Sequence, residues 1–142
     1  MIRAVADTNV LVSAAIKPRG EAGRVLAHWQ NGEFTLLYGT ALLEELIDVL
    51  NRPHLRDKYR LTPHYLHLFL GVIRIRGEKV EPTHRVTVCR DPHDDMFMDV
   101  ALNGEADYVI SNDNDLLVLS PFEDIQIITP SAFLRQLEHQ NR

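Results

Sequence analysis

Apolar and polar positions along this chain fall into blocks, with short apolar runs of strand length set between longer stretches of helical spacing. Ile2 to Ala6 is the first such run, and the turn-prone Asp7-Thr8-Asn9 follows it. Pro18, Gly20 and Gly23 break the next stretch, after which Val25, Leu26 and Trp29 mark one face of a helix ending near Asn31-Gly32. Phe34 to Tyr38 forms a second strand. Thr40 caps a helix whose Leu42, Leu43, Leu46, Ile47, Val49 and Leu50 make a wide apolar stripe, and Pro53 stops it. Thr62-Pro63, a capping residue followed by proline at the first helical position, opens a further helix towards Arg76-Gly77.

From Glu78 to Cys89 the pattern is weak, and Val86 to Cys89 is the best strand within it. Asp91-Pro92-His93-Asp94 reads as a helix start, with Asp91 as the cap and Asp94 stabilising the first turn. Tyr108 to Ser111 is a strand, Asp113 to Leu119 a short helix and Ile125 to Ile128 a last strand, before Thr129-Pro130 opens a terminal helix. Strands and helices alternate without repeats, low-complexity tracts or linkers. This predicts one α/β domain over residues 1–142, a sandwich with a mostly parallel sheet.

Composition narrows the setting. At 142 residues and 45% hydrophobic content the chain can bury one core and hardly two. Cys89 is the single cysteine, so no internal disulfide forms, and it reads as an inert core residue. The absence of a signal peptide or long apolar span points to the cytosol and away from membranes. The net charge of -5 is unevenly spread: from Arg52 to Arg90 nine Lys and Arg meet three acids, a surplus of +6 that leaves -11 for the rest. A solvated helical surface explains such a segment, and so does attraction to a phosphate backbone. Arg52, Arg56, Lys58 and Arg60 are the candidate backbone contacts.

The candidate chemistry is carboxylate chemistry. In an open parallel sheet, ligand sites collect beyond the carboxyl ends of the strands, so Asp7 and Asp113, each following a strand, can be neighbours. On the helix near Pro92, Asp95, Asp99 and Asn103 share one face and Met96, Phe97, Val100 and Ala101 the other. On the helix after Thr40, Glu44 and Glu45 flank Asp48, and the helical wheel does not choose between them. Taken singly, each acid is equally a turn former, a cap or a surface charge. Gathered together they repel, and a hard divalent cation relieves the repulsion. With oxygen ligands and no nearby Cys/His set, Mg²⁺ or Mn²⁺ suits better than structural zinc. His64 and His67 read as surface or packing residues, and no glycine-rich phosphate loop is present.

Four segments, VADTNVLVSA, LLEELIDVLNRPHL, RDPHDDMFMDVALNGEADYVISNDNDLL and IQIITPSAFL, together resemble the PIN-domain family across nearly the whole chain. Within it they are similar to the VapC-type ribonucleases, the toxins of toxin-antitoxin pairs. The resemblance implies a three-layer α/β/α sandwich and a quartet of Asp7, Glu45, Asp95 and Asp113, with Asp115 as an auxiliary ligand. Asp95 is preferred to Asp94 for its spacing to Asp113 and its face on the helix. Ser111 stands where the family usually has Thr, and a hydroxyl is retained. The implied reaction is Mg²⁺- or Mn²⁺-dependent hydrolysis of RNA, leaving a 5′-phosphate and a 3′-hydroxyl. A cognate antitoxin and a homodimer are implied as partners. Thr8, Asn9, Ser111 and Asn112 are positioned to orient the acids, although turn formation explains them too.

Three other enzyme or signalling classes fit less well. A histidine-aspartate phosphohydrolase would use His93-Asp94, but in an all-helical bundle. A haloacid-dehalogenase phosphatase needs a second Asp where Asn9 stands, and a receiver domain has no role for the acidic 91–95 turn. The remaining alternative is a catalytically silent PIN module that binds RNA or a protein partner.

Overall fold

The computed structural model describes residues 1–140. Five strands, β1 (Arg3–Ala6), β2 (Thr35–Tyr38), β3 (Glu78–Lys79), β4 (Tyr108–Ile110) and β5 (Gln126–Ile128), form one sheet in the order β3-β2-β1-β4-β5. Every pairing between them is parallel, with Val5 level with Leu37 on one side and Val109 on the other. The helices are α1 (Thr8–Ile16), α2 (Glu21–Gln30), α3 (Thr40–Leu50), α4 (Pro53–Tyr59), α5 (Pro63–Arg76), α6 (Asp95–Asn103), α7 (Asn114–Leu117) and α8 (Pro130–Gln140). The result is the expected α/β sandwich around a parallel sheet.

The strand order locates the site. The chain steps outward from β1 through β2 to β3, then returns to lay β4 against the opposite edge of β1. Connections leaving β1 and β4 therefore diverge at the carboxyl edge, which opens a crevice there. Asp7 follows β1 directly, and its amide donates to the Ile110 carbonyl at the end of β4 (3.0 Å). The same sheet carries the core: Val5, Leu36, Leu37, Val109 and Ile110 are fully buried. Phe133 of α8 meets Phe34 and Tyr108 edge-on, with ring centroids 4.9 and 5.5 Å apart.

Capping follows the sequence closely at α5, α7 and α8. Thr62 accepts from the Tyr65 amide (3.1 Å), Asp113 from that of Asp115 (2.9 Å) and Thr129 from that of Ala132 (3.1 Å). His64 and His67 lie exposed on α5.

Three features depart from the sequence reading. Residues 8–16 form a helix rather than a turn and a broken stretch; α1 buries Thr8, Val10, Leu11, Val12, Ala14 and Ala15, so it is apolar around most of its girth and shows no one-sided stripe. Pro53 stops α3 but also occupies the first position of α4, a helix with no buried residue that ends at Arg60 in the left-handed region (φ 54°). The third strand is Glu78–Lys79, not Val86 to Cys89. Residues 83–89 instead form an irregular strap, bent at 83–84 and at 89, whose backbone is held by side chains of α6.

Candidate metal centre at the carboxyl edge of the sheet

Asp7 is both a helix cap and the most buried carboxylate of the crevice. Its Oδ1 accepts from the Val10 amide (2.8 Å), which ties the side chain to the first turn of α1. It is 4% exposed, and burial raises its pKa above the ordinary carboxylate range. Hydrogen bonds from Ser111 and Val10 oppose that rise, while the charges of Asp113 and Glu45 add to it. Ser111, itself fully buried, also accepts from the Asp113 amide (2.9 Å), so one hydroxyl joins the two acids at the ends of β1 and β4.

Asp94 completes this group. A single 3-10 turn, Pro92–Asp94, capped by Asp91, leads into α6 and leaves Asp94 with no capping bond of its own. Burial, then the charge of Asp113, raises its pKa to about 6, with Asp91 and Asp7 adding further repulsion and His93 opposing it. The role of first-turn stabiliser therefore describes Asp94 incompletely, because its carboxyl shares the field of Asp7 and Asp113.

Asp95 is placed differently. It is buried, and its Oδ1 accepts from the amides of Val88 (3.2 Å) and Cys89 (2.9 Å). One turn on, Asp99 accepts from the Val86 amide (2.6 Å); after another turn, Asn103 accepts from the amides of Thr83 and His84 (both 3.1 Å) and donates to the His84 carbonyl (2.7 Å). The polar stripe of α6 is thus a rack for the strap, not a solvated face. The missing strand at 86–89 has the same cause, since these amides are satisfied by a helix instead of a neighbouring strand. Cys89 is half-buried, and burial followed by the adjacent Asp95 pushes its thiol up to about 12, which keeps it unreactive.

Glu45 reaches the crevice from α3. Its Oε2 accepts from the Thr8 hydroxyl (3.0 Å) and its Oε1 meets His93 Nε2 (2.9 Å), whereas Glu44 is exposed on the outer wall. The Glu45 bond raises the pKa of His93 above the usual imidazole value. His93 is the residue that sequence reasoning did not attach to Glu45; its one signal was its place beside Asp94. Asn9 and Asn112 are exposed and make no side-chain hydrogen bond among the described residues. Asp115 turns to Arg90 (3.7 Å).

The basic candidates lie on α4. Arg52 pairs with Asp48 (3.5 Å), Lys58 lies 5.3 Å from the Tyr59 ring centre, and Arg56 and Arg60 line a cavity of about 420 Å³ with Asp57 and Thr62. A larger cleft of about 660 Å³ separates α3 from the strap, with Glu44, Glu45 and Asp48 on one wall and Arg85, Thr87 and His93 on the other.

Among the described residues no three His, Cys, Asp or Glu side chains close on a single point as chelating ligands. Asp113 and Glu45 are nonetheless near enough to raise the pKa of Asp7, and Asp113 and Asp7 that of Asp94, and the donor set is all oxygen. Such a group fits a hard cation that keeps part of its water shell. No described helix is long and apolar enough to cross a membrane.

Known proteins show the same frame. The chain is 28% identical to Uncharacterized protein MJ1680 of Methanocaldococcus jannaschii over 145 aligned residues, covering 96% of this chain and 92% of that one. Its fold is similar to PAE2754 from Pyrobaculum aerophilum (TM-score 0.59, 14% identity, 98% of this chain and 91% of that one). It is also similar to VapBC2 from Rickettsia felis, solved bound to a DNA fragment from their promoter (TM-score 0.57, 12% identity, 89% and 97%). FitAcB from Neisseria gonorrhoeae aligns with a TM-score of 0.50 at 17% identity, over 90% and 98%. Residues 3–115, which contain every acid of the crevice, match the family model described as PIN domain. With the sheet order, the crevice and that match in agreement, the chain belongs to the PIN domain family.

Proposed function

We propose that this chain is a metal-dependent ribonuclease, an endonuclease that hydrolyses RNA phosphodiester bonds with Mg²⁺ or Mn²⁺. One observation carries the reading: at the carboxyl edge of the sheet, Asp113 lies near enough for its charge to raise the pKa of both Asp7 and Asp94. These three would hold the cation, with Glu45 on the α3 side. When bound, the cation supplies a water of lowered pKa and screens the phosphate.

The chain's own groups do the remainder. Ser111 keeps Asp7 and Asp113 in register, and Thr8 and His93 hold the two oxygens of Glu45, which orients the attacking water. Asp95 acts at one remove by fixing the strap, and Asp115 sits at the outer margin with Arg90. Arg52, Arg56, Lys58 and Arg60 supply outlying contacts to the RNA backbone. The chain works as a single domain in the cytoplasm, as the toxin of a pair whose antitoxin covers the crevice, and it assembles as a homodimer.

The test uses purified protein and single-stranded RNA. The wild-type chain cleaves with Mn²⁺ or Mg²⁺ and stops on chelation, while Asp7→Asn and Asp113→Asn abolish cleavage with circular dichroism unchanged. Unchanged cleavage by both variants overturns the assignment. RNA binding without cleavage under either metal identifies the silent module instead.

A further inference from the structure

Two exposed guanidinium groups stand on and just after the strap. Arg85 is exposed, lines the 660 Å³ cleft and makes no ion pair or hydrogen bond among the described residues. Arg90 is 85% exposed, with only a loose contact to Asp115. Five residues of extended chain separate them by at most about 18 Å. Arg85 lines the same cleft as Glu45, on the opposite wall, and Arg90 stands beside Asp115. Val86 and Thr87 also line the cleft, and Val86 packs on the core as well.

The backbone of this segment is held unusually firmly for a loop. Asp95 and Asp99, both buried, and Asn103 take up five of its amides. Two cations are thereby displayed from a fixed main chain, the arrangement that positions a phosphate backbone without reading bases. On the opposite wall Asp48 is paired with Arg52 and Glu45 with His93, so among the described residues Glu44 is the acid of that wall without a partner.

We propose that the strap is the RNA-backbone wall of the site, with Arg85 and Arg90 binding phosphates on either side of the one to be cut and α6 acting as its mount. This rests on the ribonuclease reading. Glu44 sets a limit on affinity by opposing the strand across the cleft.

The experiment is direct binding, so that it does not depend on cleavage. A fluorescein-labelled single-stranded RNA is titrated by anisotropy at several KCl concentrations with Ca²⁺ present. Arg85→Ala and Arg90→Ala each weaken binding about fivefold to tenfold and each flatten the slope of log K against log salt by about 0.7, the single-strand value for one phosphate contact. Glu44→Gln tightens binding. Asp99→Ala removes a negative charge, so a purely electrostatic picture predicts tighter binding, whereas release of the strap weakens it. Asn103→Ala, which changes no charge, shows the same loss if the Asp99 variant does not fold.

Failure of the wild-type chain to bind RNA overturns the proposal, as do unchanged affinity and salt slope in both arginine variants. Weaker binding in Glu44→Gln overturns it too, since removing an opposing charge must not loosen a strand held by its phosphates. Tight, arginine-dependent binding by a chain that never cleaves overturns the ribonuclease reading and leaves the strap assignment standing.

Discussion

Asp7 answers to two demands at one position, since the same carboxyl that closes the first turn of α1 belongs to the repelling acid group. Asp7→Asn keeps an acceptor for the Val10 amide and Asp7→Ala does not, so the alanine variant should be the less stable by about 1 kcal/mol in urea denaturation. Asp94 gives a pH signature. Its folded pKa of about 6 lies above the ordinary 3.8, so between those values the folded state binds more protons than the unfolded chain. Stability of the metal-free protein therefore falls as pH rises from about 4 to about 6. His93 pushes the same way at higher pH: its raised pKa contributes stability that is complete below 6.5 and lost as pH climbs through the folded value. A melting series against pH should show both declines, with the lower one flattened in Asp94→Asn. At this scale the sequence showed that Asp7 and Asp113 each follow a strand. It did not show that Asp94 shares their field while Asp95 accepts from the strap, because adjacent acids at a helix start are sorted by the 3-10 turn and by which backbone amides lie within reach.

At the scale of elements, readability depended on whether an element has two unlike faces. α3 and α5, with one buried side, were visible in the spacing of leucines and, for α5, in Thr62-Pro63; at α3 the expected cap fails, because Gly39 takes the cap position and the Thr40 hydroxyl donates to Glu81 instead. α1, apolar nearly all round, left no periodic trace, and α4, with nothing buried, left only Pro53. Gly23 was read as a breaker but lies inside α2. A Cβ there would come within 2.1 Å of the Pro18 carbonyl oxygen, so the glycine permits close packing against the α1–α2 turn. Gly23→Ala should cost about 1–3 kcal/mol by denaturation, in keeping with overpacking against backbone. A neutral result would mean that the turn gives way easily.

For the molecule as a whole, the fold follows from alternation and the site follows from topology. Two acids 106 positions apart meet only because β4 returns to the side of β1 that β2 leaves open. A cation that binds the folded chain alone must raise its melting temperature, by an increment worth about 2.7 kcal/mol at a hundredfold excess over the dissociation constant. Calorimetry with and without Mn²⁺ should show the rise in the wild-type chain and its loss in an Asp7→Asn, Asp113→Asn double variant. An equal rise in both would place the ion elsewhere. The basic surplus at 52–90 also resolves in space: its first members ride on α4, Arg85 lines the cleft wall and Arg90 stands beside Asp115. Because helix side chains grip the main chain of that wall, its own side chains carry little of the architecture. The exposed positions 85, 87 and 90 can therefore be exchanged while the sheet and the crevice acids stay as they are, so this face is free to vary independently of the fold that carries it.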